Sequence, residues 1–226
     1  ATLELVAVAA CLVLCIAIPL GVYAGAYPKR ASSKLIMSGS ILGISLPSFW
    51  VGMMMIYIFA VVLRLLPASG RGNTVMVGNV ALSIFAPGGI RYVILPAITL
   101  ALTNVATMLR LTRSGILENM RQDYIKFARA KGVPAKSILF GHALKNALIP
   151  VVTIFGMDLG NMIAFTTITE TIFAWPGMGK LLIDAINKSD RPIIVAYLMA
   201  AACMFVVLNF IVDILYTLID PRIELR

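Results

Sequence analysis

In a chain of 226 residues with ten acidic side chains and one histidine, each group that could do chemistry can be weighed singly. Asp158 lies in the apolar run FGMDLGNMIAF, three residues before Asn161. A carboxylate at bilayer depth costs about 2.5–3.5 kcal/mol on insertion scales, so it faces a polar path or a polar partner. Two roles stay open for Asp158: meeting an amine-bearing solute in a translocation path beside Asn161, or hydrogen bonding to a packed helix. Asp213, in NFIVDILY, sits nearer a helix end, where a charge reaches the interface cheaply, so a structural role is expected. His142 has no Cys, Asp or Glu at ligand spacing, and no metal site is expected. Neither a catalytic triad nor a GxxxxGK[ST] phosphate loop occurs, so the chain is expected not to be an enzyme and not to bind ATP itself.

The elements that must carry these groups are membrane helices. The chain is 60% hydrophobic and 13% charged, against about 25% charged in soluble domains. Five apolar runs stand out: Leu3 to Ala26, about Leu35 to Leu63, Tyr92 to Leu109, Ala147 to Ile168, and Ile193 to Leu218. Each reaches the length of about 20 residues that a span needs, and the second is long enough to span with tilt. Gly156, Asp158, Gly160 and Asn161 interrupt the fourth run. Cys11, Cys15 and Cys203 lie inside apolar runs and read as small hydrophobes. No internal repeat, direct or inverted, is visible.

The net charge of +9 falls in loops between apolar runs, the habit of membrane proteins rather than nucleic-acid binders. Thirteen Lys and Arg lie on one side of the five runs and six on the other. The positive-inside rule puts the 110–145 loop and the C-terminus in the cytoplasm and Ala1 outside. Because the chain opens on Ala1, with no Met or charged leader, an upstream first helix is expected to precede it.

One segment breaks the apolar pattern: DYIKFARAKGVPAKSILFGHALKNALIP, residues 123–150. Asp123 to Lys131 reads as a short helix, with Tyr124, Ile125, Phe127 and Ala128 in one broad arc and Lys126 and Arg129 opposite. Gly132 suits its C-terminus, and Pro134 suits the first turn of a second helix. A basic amphipathic helix on the inner face either inserts into a groove on a partner or rests on anionic lipid.

The same segment resembles the EAA loop of bacterial ABC-transporter permeases, in the dipeptide/oligopeptide/nickel branch, which carries close variants of DYIKFARAKG followed by HALKNALIPVVT. Further matches are ATLELVAVA, ILPAITLAL, ETIFAWPGMGKLLIDAI and NFIVDILYTLIDPRI, so the resemblance covers nearly the whole chain. It implies an all-α, polytopic permease domain over residues 1–226, in the bacterial cytoplasmic (inner) membrane, with a coupling segment at 116–146. Asp123, Tyr124, Phe127, Ala128, Arg129, Ala130, Lys131 and Gly132 would then contact a cytoplasmic ATPase. Lys126, Phe127 and Ala128 stand where the general pattern has Glu-Ala-Ala, so any role borrowed from that Glu is lost.

The resemblance also implies the partners: a second homologous permease, two ATPase subunits that hold ATP and Mg, and an extracytoplasmic solute-binding protein. Docking of that protein is expected at the outer segment containing Glu170, Trp175, Pro176, Gly177 and Gly179, where the alternative is an interfacial anchor and turn. Di- or oligopeptide import is the leading expectation. Nickel or metallophore import is the alternative within the class, and an ATP-independent carrier or channel the alternative outside it.

Overall fold

The computed structural model describes residues 1–219. Arg222, Arg226 and the C-terminus lie outside the described residues, as does the side chain of Asp213. The elements run α1 (Thr2–Ala26), α2 (Ala31–Ser45), α3 (Ser48–Met55, continued as a π-helix over Ile56–Val62), β1 (Val75–Val77) and β2 (Val80–Leu82). Then come α4 (Ile90–Asn119), α5 (Asp123–Ala130) and α6 (Ala135–Ser137), a π-helical stretch Ile138–Ala143 that leads into α7 (Leu144–Ile172), then α8 (Met178–Asn187) and α9 (Arg191–Ile219). Helix dominates because, in hydrocarbon, each backbone N–H and C=O must be satisfied within its own segment. Pro19, Pro96 and Pro150 lie inside α1, α4 and α7. Membrane helices tolerate this where neighbours and local π adjustments re-satisfy the freed groups.

Among the described residues, Thr2–Ala26, Ile90–Asn119 and Ala135–Ile172 are each long and apolar enough to cross a membrane. The second apolar run corrects the expectation of one tilted span. It forms α2 and α3, bent by 105° at their junction, and counts as a fourth crossing only if the pair is one broken span. Pro47 is the cause: it lacks an N–H, sits at φ −61° and drives Leu46 away from helical geometry. α9 is apolar over Arg191–Val207. The interrupted fourth run, in contrast, is unbroken helix. Gly160 serves close approach there, since a Cβ would lie 2.6 Å from the ring of Phe205 on α9. The loop after α3 adds a small hairpin to an otherwise helical chain, pairing Val75 with Leu82, Met76 with Ala81 and Val77 with Val80. Gly78, at φ +61°, makes its turn.

The chain forms two compact units, each assembled from separated stretches. One comprises residues 1–12, 46–102 and 159–209, with Leu5, Leu95, Phe173 and Trp175 in its core. Gly52 lets α3 settle against Thr99, Ile172 and Phe173. The other comprises, of the described residues, 13–45, 103–158 and 210–219. Its described core holds Val22, Ile116, Ile125, Ile138, Ala143 and Ala147. Gly21 and Gly25, one turn apart on α1, form its tightest seam: a Cβ on Gly21 would lie 2.6 Å from Thr112 Cβ, and one on Gly25 2.7 Å from Ile116 Cβ. Small residues four apart let membrane helices approach closely where no hydrophobic force drives them together.

Candidate functional site

The segment after α4 is built on a short helix, α5, with two unlike faces. Ile125 is fully buried in the core of its unit, and Ala128 and Val133 pack against the same cluster. Phe127 is 62% exposed, and the ammonium of Lys131 lies 4.4 Å from its ring centroid. Arg129 and Ala130 are exposed too. The broad arc read from the sequence therefore narrows: Ile125 and Ala128, three apart, share the inward face, while Phe127 lies round the helix at about 100° per residue.

Tyr124 anchors the helix at its edge. Its hydroxyl donates to Asn119 Oδ1 at 2.8 Å and accepts from Asn146 Nδ2 at 3.0 Å, tying α5 to the ends of α4 and α7. At the N-terminus, Lys126 Nζ donates to Asp123 Oδ1 at 2.8 Å. That hydrogen bond, with the charge of Lys126, holds the Asp123 carboxyl below the ordinary carboxylate range. Asp123 also lies in the first turn, where the helix dipole favours negative charge. The helix ends where the sequence indicates. Gly132 takes φ +76°, and Val133 N–H bonds back to Ala128 O at 3.1 Å, which closes the last turn. Pro134 then caps the next helix. His142 is exposed within the π-helical stretch.

A second polar constellation fills the other unit. Glu170 is fully buried: it accepts from the Thr2 hydroxyl at 2.7 Å and from Lys180 N–H at 3.0 Å, while Met178 N–H donates to Thr2 Oγ1 at 2.8 Å. Glu4, also buried, pairs with Arg71 and accepts from the N–H groups of Ser83 and Ile84. The guanidinium of Arg71 lies 5.7 Å from the Trp175 ring centroid and also donates to Ala81 O. These bonds join the start of α1, the hairpin loop and the segment between α7 and α8. Of the residues expected to meet a docking protein, Glu170, Trp175 and Gly179 are buried, Gly177 is half-buried and Pro176 is exposed. Of these, only Pro176 is exposed, and the buried members give the segment its shape. Arg71, on the loop before the hairpin, is largely buried in this network.

Asp158 and Asn161 both lie on α7, Asp158 half-buried and Asn161 exposed. Sequence reasoning missed Glu4, Asn119, Asn146 and the pair Gly21 and Gly25. Only the two glycines carried a local signal, the G-x-x-x-G of GVYAG.

The model of one protein family, binding-protein-dependent transport system inner membrane components, matches residues 17–225. The oligopeptide transport system permease protein AppB of Bacillus subtilis is 41% identical over 99% of this chain and 69% of its own length. The di/tripeptide transport system permease protein DppB of Pseudomonas aeruginosa is 42% identical over 84% of the chain, a match that spans 60% of that protein. The Escherichia coli dipeptide permease DppB is 36% identical over 99% of the chain and 70% of its length. Among solved structures, the MetNI methionine ABC transporter in inward-facing conformations is similar, with TM-score 0.72, 14% identity, and coverage of 97% of this chain and 94% of that one. At that identity the likeness speaks for fold, an all-α polytopic membrane permease. The chain is thus a multi-pass inner-membrane transport component rather than an enzyme, and it belongs to the family of binding-protein-dependent transport system inner membrane components.

Proposed function

We propose that this chain is the permease subunit of an ATP-driven importer of di- and oligopeptides, forming half of its translocation path. The observation that carries this reading is the two-sided anchoring of α5. Ile125 and Tyr124 root it in the membrane helices, while Phe127, Arg129, Ala130 and Lys131 face outward. A helix so held passes a push from a cytoplasmic partner into α4 and α7. The partner is an ATPase subunit. Two of these, with ATP and Mg bound to them, sit beneath this chain and a second homologous permease. Nucleotide binding there biases an equilibrium between inward-open and outward-open states.

Residues 1–226 act as one permease domain, with 116–146 as its coupling segment. An extracytoplasmic solute-binding protein docks at the segment around Pro176, whose shape Glu170, Trp175, Gly177 and Gly179 maintain. Asp158, with Asn161, lines the path, where its carboxylate suits the amine of a peptide. The peptide relatives favour peptides over nickel as the solute.

The test is uptake into vesicles holding this chain, its paired permease and both ATPases, with the binding protein supplied outside. ATP-dependent accumulation of a labelled dipeptide is the expected result. Accumulation of labelled nickel in its place moves the reading to the alternative solute, and uptake driven by an ion gradient without ATP contradicts the class.

A further inference from the structure

Beside the coupling segment lies a cavity of about 540 Å³ with walls of two chemistries. Ala26, Met120, Leu139 and Phe140 supply hydrocarbon, and Tyr27 and Lys136 supply polar atoms. Phe140 is 53% exposed, so its ring leaves apolar surface open on this wall. The guanidinium of Arg30 lies 4.2 Å from the ring centroid of Tyr27, which places a second cation next to a lining residue, outside the lining itself. Among the described residues, the ion pairs are Arg71 with Glu4, Lys126 with Asp123 and Lys180 with Asp184. None of them engages Arg30 or Lys136.

The depth of the cavity follows from its walls. Ala26 ends the 25-residue apolar α1, and Met120 immediately follows α4. The end of α1 marks the boundary between membrane and water, where tyrosine rings such as Tyr27 concentrate. This is the side richer in Lys and Arg, the cytoplasmic one by the positive-inside rule, and the leaflet there carries anionic lipids. A free inorganic anion has no use for the hydrocarbon wall. A zwitterionic headgroup brings a cation towards Arg30 and Lys136. A negatively charged headgroup with an acyl chain satisfies both walls.

We propose that this cavity binds an anionic phospholipid of the inner leaflet. Its phosphate is held by Lys136 and by Arg30 next to Tyr27, and an acyl chain lies along Met120, Leu139 and Phe140. The proposal rests on membership of an inner-membrane family and on the cavity. It does not depend on which solute is carried.

The test is made on the chain assembled with its partner subunits in lipid nanodiscs. Phe140→Trp places a reporter on the wall, and Phe140 is exposed enough for the exchange to spare the core. The parent, with only Trp50 and Trp175, supplies the background. Brominated phosphatidylglycerol should quench the reporter at a mole fraction at least about fivefold lower than brominated phosphatidylcholine, the ratio one basic residue near a bilayer surface provides. Adding Arg30→Gln and Lys136→Gln should remove that preference while quenching by phosphatidylcholine stays. Equal quenching by both lipids in the parent reporter, or a preference that survives loss of both cations, overturns the proposal. So does an absence of quenching in the assembled complex, which means that a partner subunit fills the cavity.

Discussion

Glu170 and Gly177 compete for one space: a Cβ on Gly177 would run into the Glu170 carboxylate. The carboxylate cannot easily yield, because Thr2 and the N–H of Lys180 hold it in a fully buried site. Pulling it away breaks these hydrogen bonds and leaves buried polar atoms without partners. Gly177→Ala should therefore destabilise the protein by about 1–3 kcal/mol, the usual cost of overpacking. Chemical unfolding in detergent measures this, and a variant as stable as the parent contradicts the packing described.

Three residues earlier, Ala174 occupies φ +47°. The left-handed region costs a residue with a Cβ roughly 1–2 kcal/mol. Trp175 N–H bonds to Glu170 O at 2.8 Å across this turn, so the geometry is fixed by the closing of α7. Ala174→Gly should raise stability by about 1 kcal/mol, since glycine adopts this conformation freely. A drop on the same unfolding measurement is the contrary result.

The helix α5 was legible in the sequence because its signals are local: a charged, amphipathic stretch between apolar runs, then Gly132 and Pro134 as punctuation. The three spans Thr2–Ala26, Ile90–Asn119 and Ala135–Ile172 were legible for the same reason, whereas the bend between α2 and α3 was not expected, although Pro47 marks it. What could not be read is what joins distant parts of the chain. Glu4 meets Arg71 across 67 residues, and Asn146 meets Tyr124 across 22. Such pairs leave no periodicity. Asp158 and its flanking glycines misled in the other direction, because in a bilayer the need to satisfy the backbone outweighs local helix propensity.

The two faces of α5 predict a separation of effects. Ile125→Ala removes a fully buried side chain and should cost about 2–5 kcal/mol of stability. Phe127→Ala, on the exposed face, should leave unfolding nearly unchanged yet lower ATP-dependent uptake several-fold. Equal loss of stability in both variants contradicts the assignment of faces, and full transport by Phe127→Ala contradicts the contact with an ATPase.

Asp123 gives the helix a defined pH response. Its folded-state pKa is depressed by Lys126, so its contribution is complete above the ordinary carboxylate range and is lost as pH falls through the lowered value. At neutral pH the pair is therefore intact. Amide exchange in α5 should quicken only on acidification below the usual Asp range, and Asp123→Asn should abolish that step. Exchange that quickens between pH 6 and 8 and responds to this variant goes against the pairing.

In the proposed importer α5 sits on a cytoplasmic ATPase. Ala130 is the residue to probe, because it is exposed whereas Ala128 packs against the chain's own core. Cys11, Cys15 and Cys203 are all exposed and must first become serine. In that background Ala130→Cys is crosslinked to single cysteines on the co-expressed ATPase, with and without ATP. A crosslink whose yield changes with nucleotide is the predicted result. No crosslink, in a complex shown to be folded and inserted, means that the basic helix rests on lipid and that the coupling role is wrong.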